Sequence, residues 1–171
     1  MYKKILVPLD GSEFGEYVLD HVKAIAKGCQ VKELVLLQVI EPPSFSFRAS
    51  KKLLANYHEV DDKFEKPVQD YLSQVAKTLK KSGVNADIAT KRITHGSAAD
   101  GILDYAKENG VDLIIMTTHG KSGLTSWHFG SVANKVTRDS PIPVLIVTPS
   151  GFRTGRYGQT RVDRQSVSAR C

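Results

Sequence analysis

Two stretches of this chain place glycine, hydroxyl and charged groups at the ends of apolar runs. The longer is Thr117-Thr118-His119-Gly120-Lys121-Ser122-Gly123-Leu124-Thr125-Ser126-Trp127-His128-Phe129-Gly130-Ser131. It follows Val111-Asp112-Leu113-Ile114-Ile115-Met116, which reads as a buried strand, and a helical pattern begins near Ser131. Glycines let backbone approach a ligand closely, and a helix start offers unpaired N–H groups with partial positive charge. That combination suits phosphate. The shorter stretch is Asp10-Gly11-Ser12, after the apolar run ending at Leu9. Asp10 would repel phosphate, but it can accept hydrogen bonds from a ribose hydroxyl or an exocyclic amine. Gly120, Gly130 and Ser131 supply donors, and Lys121 and His119 can add positive charge. Spacing alone leaves rival readings open. The glycine pair equally suits plain turn geometry, and Asp10-Gly11 equally starts a turn. Ser131 equally caps the helix, a role compatible with phosphate contact.

Several neighbouring chemistries are excluded. Gly120-Lys121-Ser122 imitates the end of a Walker loop, but Ile115 stands where the first glycine belongs. The first strand is not followed by Gly-x-Gly-x-x-Gly, which disfavours a dinucleotide fold. A phosphorelay receiver would want an acidic pair after strand one and a lysine after strand five; here stand Asp10-Gly11 and Thr148-Pro149. A nucleophile with an adjacent base is not recognisable, nor a residue dedicated to activating water. Rapid turnover is therefore not expected, and slow hydrolysis stays open.

The elements that must position these groups alternate. Lys4 to Leu9 reads as strand one, and Ser12 as the N-cap of a helix carrying Phe14, Val18, Val22 and Ile25 inward to a stop at Gly28. Leu34 to Ile40 is strand two. Leu53, Tyr57, Val60, Phe64, Val68, Tyr71, Val75 and Leu79 recur at helical spacing, interrupted by Pro67. This predicts either one long kinked helix, the favoured form, or a helix whose regular part begins at the proline. Ser82-Gly83 closes it. Asn85 to Ile93 is a weaker strand three suited to an edge. Ser97 and Asp100 make a capping-box-like start to the next helix, with Ile102, Leu103 and Ala106 inward and Gly110 as the stop. Strand four is Asp112 to Thr117, the last helix carries Val132, Ala133 and Val136, and strand five is Val144 to Thr148. Such alternation predicts a parallel α/β sheet with helices on both faces. If both polar exits line one site, strands one and four are neighbours and the order is 3-2-1-4-5.

The chain has 171 residues, enough for one domain, expected over residues 1–149. Its net charge is +6. Arg153, Arg156, Arg161, Arg164 and Arg170 against Asp163 give residues 150–171 a charge of +4 and leave +2 for the domain. The domain is therefore no evident nucleic-acid binder. The basic C-terminal stretch lacks apolar periodicity and reads as a flexible tail. No apolar run approaches a membrane span, and Met1 to Lys4 lead into too short an apolar segment for a signal peptide. Cys29 and Cys171 are too scattered for a disulfide framework or a zinc site, which fits a reducing cytoplasm. Val144-Leu145-Ile146-Val147 would form an apolar edge, best relieved by pairing across a two-fold axis into a homodimer.

Thr117-x2-Gly120-x9-Gly130-Ser131 resembles the Gly-x2-Gly-x9-Gly-Ser/Thr motif of nucleotide-binding universal stress proteins, with Thr117 in place of the first glycine. Ile5-Leu6-Val7-Pro8-Leu9-Asp10-Gly11-Ser12 and Leu36-Leu37-Gln38-Val39 resemble the family's first strand with its loop and its second strand. The resemblance spans about residues 1 to 149. It implies the same 3-2-1-4-5 order in a Rossmann-like fold of the adenine nucleotide alpha hydrolase type. It also implies ATP binding as a stress-response sensor or switch. Pro8, Asp10 and Val39, the last through its backbone, would take the adenosine side. Thr117 and Gly120 would run along ribose and phosphates, with Gly130 and Ser131 at the terminal phosphates. Magnesium would be held by phosphate oxygens and water, since no carboxylate pair is evident for it. Thr117 adds β-branched bulk where the family has none, so a nucleotide-free interaction module is the competing expectation.

Overall fold

The computed structural model describes residues 2–41, 57–118 and 130–148, and within 57–64 the backbone only. Five short runs rich in branched residues form one parallel sheet: β1 (Lys4–Pro8), β2 (Glu33–Ile40), β3 (Asp87–Arg92), β4 (Leu113–Thr117) and β5 (Val144–Val147). Their order is β3-β2-β1-β4-β5, as the sequence predicts. The middle strands are apolar on both sides because both faces of the sheet are covered. Ile5, Val7, Leu34, Leu36, Leu113 and Ile115 point into one core. Leu6, Val35, Leu37, Ile114 and Met116 point into the other. The outer strands are weaker: Ile88 on β3 and Leu145 on β5 are exposed.

The first core is roofed by α2 (Leu19–Gly28) and α3 (Tyr57–Lys81), the second by α4 (Ala98–Glu108) and α5 (Ser131–Asp139). α3 runs through Pro67 as one helix, as the favoured expectation of a single long helix required, and buries Leu72, Val75 and Leu79. The periodicity written from the sequence omits Leu72. Leu53 lies outside the described residues, as do the side chains of Tyr57, Val60 and Phe64.

The first helix departs from expectation. It is split into α1 (Glu13–Glu16) and α2, because the Tyr17 N–H turns to the carbonyl of Phe14, three residues back, at 3.3 Å. Phe14 consequently leaves the core stripe and stacks on Tyr17, with ring centroids 6.3 Å apart. α2 ends at Gly28 as expected, but Gly28 is not the residue that closes it. The chain turns at Gln30, whose φ is 52°, while the Val31 N–H returns to the carbonyl of Ala26 at 3.2 Å. This is the closure usually given to glycine, one residue beyond the helix cap. At the end of α3 the expected residue does the same work: Gly83 has φ 78° and the Val84 N–H reaches Leu79 O at 3.1 Å.

α4 begins as predicted. Asp100 Oδ2 accepts from the Ser97 N–H and hydroxyl, both at 2.8 Å. Gly101 was not singled out by the sequence. A Cβ there would lie 2.8 Å from Val39 Cγ1 and 2.9 Å from Ile93 Cγ2, so its absence lets α4 sit down on the ends of β2 and β3. Among the described residues no helix is long and apolar enough to cross a membrane. Residues 150–171, the expected tail, lie outside them.

Candidate functional site

The strand order reverses between β1 and β4, and a cleft opens there at the carboxyl ends of the strands. Its volume is about 280 Å³. Of the eight residues picked out by sequence, Pro8, Asp10, Val39, Thr117, Gly130 and Ser131 line this one cavity. Gly120 and Lys121 lie outside the described residues.

One wall is the exit of β1. Pro8 is the last residue of the strand, and the Leu9 N–H still reaches Leu37 O at 2.8 Å before Gly11 turns the chain away at φ 81°. Asp10 Oδ1 accepts from the Ser12 N–H at 3.0 Å and from the Ser12 hydroxyl at 2.6 Å. Ser12 Oγ in turn accepts from the Gly15 N–H at 3.1 Å, capping α1. Asp10 therefore builds the turn and also borders the cleft. Gly15 completes this wall unforeseen: a Cβ there would stand 3.0 Å from Asp10 Oδ1. Behind it, burial first and then the Glu16 and Asp10 carboxylates push the Tyr71 hydroxyl well above its ordinary pKa, so it stays protonated.

The second wall is the end of β2. The Leu37 carbonyl serves β1 through Leu9, and the Ile40 carbonyl serves the β3 side through the Ile93 N–H at 3.1 Å. Backbone groups alternate sides along a strand, so those of Val39, like those of Leu37, point toward β1. The β1 register ends at Pro8↔Leu37, which leaves the Val39 amide and carbonyl directed into the cleft. Sequence reasoning missed two neighbours. Gln38 is only 9% exposed, and its Oε1 has no hydrogen-bond partner among the described residues. Glu41 lines the rim and accepts the Ala98 N–H at 2.9 Å. The available signal was a polar residue inside an otherwise apolar strand and an acid at that strand's end.

The third wall joins β4 to α5. Thr117 and Thr118 are buried. The Thr118 N–H reaches Val147 O at 3.3 Å, and Thr118 O accepts the Gly130 N–H at 2.8 Å. Gly130 is the N-cap of α5, with φ −55° and ψ 151°, and Ser131 is the first helical residue. The capping alternative for Ser131 is thereby corrected: it stands one place too late, and among the described residues no side chain caps this helix. The first helical bond runs from the Asn134 N–H to Gly130 O at 2.9 Å. The amides of Ser131, Val132 and Ala133 thus have no carbonyl within the helix, and all three residues line the cleft. The cavity so formed is electrically two-ended. Asp10 and Glu41 carry negative charge near the exits of β1 and β2, and the helix start presents donors across from them. Among the described residues no cluster of His, Cys, Asp and Glu could hold a metal ion.

A parallel sheet in this order, with a cleft at its switch point, defines a Rossmann-like α/β protein. The Universal stress protein family model matches residues 1–148, and the chain belongs to that family. It is 37% identical over 155 residues to Universal stress protein MJ0577 of Methanocaldococcus jannaschii, an alignment covering 86% of this chain and 95% of that one. The solved structure of MJ0577 superposes with a TM-score of 0.70 at 34% identity, over 87% of this chain and 97% of its own. The fold is also that of the universal stress protein of Archaeoglobus fulgidus solved in complex with dAMP, with TM-score 0.56, 22% identity and coverage of 85% and 97%.

Proposed function

We propose that this protein binds ATP in the cleft and serves as a cytoplasmic, homodimeric stress-response sensor or switch. The observation that carries the reading is the pairing, within one cavity, of Asp10 and the Val39 backbone edge with three amides at the start of α5 that have no carbonyl within the helix. A nucleotide has the matching polarity: hydrogen-bonding base and sugar at one end, polyanion at the other. Pro8, Asp10 and Val39 take the adenosine, and Thr117 and Gly120 run along ribose and phosphates. Gly130 and Ser131 meet the terminal phosphates, with Lys121 adding charge. Magnesium sits on the phosphate oxygens and water. A described nucleophile with an adjacent base is wanting, so ATP is held rather than rapidly turned over. The apolar β5 edge, with Leu145 exposed, supports dimerisation through that strand.

The test is calorimetric titration with ATP and magnesium. Gly130→Asp keeps a good N-cap for α5 but sets a carboxylate against the phosphates. Affinity should fall by at least about 30-fold, on the order of 2 kcal/mol, while the fold survives. Absence of binding by the wild type at millimolar ATP would instead leave a nucleotide-free interaction module, with the buried Thr117 as the obstruction.

A further inference from the structure

Glu41 stands one residue past β2, on the strand side shared with Val39, and borders the cleft beside Val39, Ala98 and Ile102. Its Oε1 accepts the Ala98 N–H at 2.9 Å, which fixes the carboxylate against the first turn of α4. An ionised carboxylate is an acceptor only, so acceptor capacity remains on its second oxygen. The Val39 amide and carbonyl face the same cleft. A purine laid along that edge would offer N1 to the amide. If it is a 6-aminopurine, one hydrogen of the exocyclic amine goes to the carbonyl and the second is left over.

We propose that Glu41 accepts this second amine hydrogen and so selects 6-aminopurine over 6-oxopurine nucleotides. The inference rests on the cleft being an adenine nucleotide site. A 6-oxopurine would bring an oxygen where the amine should be and set it against an anion. Rejection by an unmatched acceptor is a stronger filter than loss of a contact. Helix capping also draws Glu41 toward Ala98, and the two roles use different oxygens.

The full-length chain is titrated with magnesium ATP and magnesium ITP, which differ at position 6 of the base. Wild type, Glu41→Gln and Glu41→Ala are compared, and thermal midpoints are recorded alongside. Glu41→Gln keeps an acceptor for the Ala98 N–H and brings an amide donor that a 6-oxo group can use. The wild type should prefer ATP, and both variants should lower the ATP-to-ITP affinity ratio by roughly five- to tenfold. A helix-capping role alone would move the thermal midpoints and leave that ratio unchanged. Ratios within twofold of wild type in both variants would overturn the assignment of Glu41 while leaving the nucleotide site standing. A wild type that binds neither nucleotide would remove the site itself, and this inference with it.

Discussion

The Gly130 amide donates a 2.8 Å hydrogen bond to the carbonyl of Thr118. Residues twelve apart in sequence are thereby joined where β4 ends and α5 begins. The bond holds the first turn of α5 beside the exit of the strand. Gly130→Pro tests its weight, because a φ of −55° already suits proline. The substitution should cost about 1–2 kcal/mol by urea denaturation, since a buried carbonyl loses this donor. ATP affinity should fall with it.

Two helical glycines should respond in opposite directions. Gly101→Ala places a methyl 2.8 Å from Val39 Cγ1, and helix or strand must shift. A loss of about 1–3 kcal/mol is expected, with weaker nucleotide binding because Val39 forms a wall of the cleft. Gly28→Ala meets nothing within 4 Å at the end of α2. It should stabilise by about 0.5–1 kcal/mol and leave binding unchanged.

Gln30→Gly should raise stability. Gln30 holds a left-handed backbone at φ 52° to close α2, and its side chain is exposed. Glycine removes the steric cost without losing a buried contact. A gain of about 0.5–1 kcal/mol in denaturant titration is expected, reduced by glycine's greater freedom in the unfolded chain.

The Asp100–Lys135 ion pair links α4 to α5 and should give an acid-side signature. Hydrogen bonds from Lys135 first, then Ser97, hold the Asp100 pKa at about 2, below the ordinary 3.8. Its folded-state pKa is depressed, so its contribution is fully present above pH 3.8 and is lost as pH falls through about 2. The difference in urea midpoint between wild type and Asp100→Asn should be constant from pH 7 to about 5. It should then shrink between about pH 4 and 2.

The fold was legible because its signals are local. Unbroken apolar runs at Ile5–Val7, Leu34–Leu37 and Leu113–Met116 announce strands covered on both faces, and Ser97–Asp100 announces a helix start. Six of the eight candidate residues line one cavity: Asp10, Thr117, Gly130 and Ser131 stand out because they sit at polar strand exits, whereas Pro8 and Val39 came from the family resemblance. What was missed depends on which elements meet. Gly15 matters because it faces Asp10, and Gly101 because it faces Val39 and Ile93. Glu41 matters because α4 begins beside it. Gln38 looked like one residue of a strand motif, and its buried Oε1 is visible only with the helices in place. The split at Tyr17 and the turn at Gln30 escaped because Ser12 and Gly28 offered simpler boundaries.

Thr117 lies opposite Val147 in the pairing of β4 with β5, and the Thr118 N–H bonds to Val147 O. The floor of the cleft and the sheet's outermost rim are thus adjacent rungs of a single ladder. A displacement of Thr117 would therefore be felt at Val147, so strain introduced on the cleft side would pass to the sheet's β5 edge through backbone pairing alone.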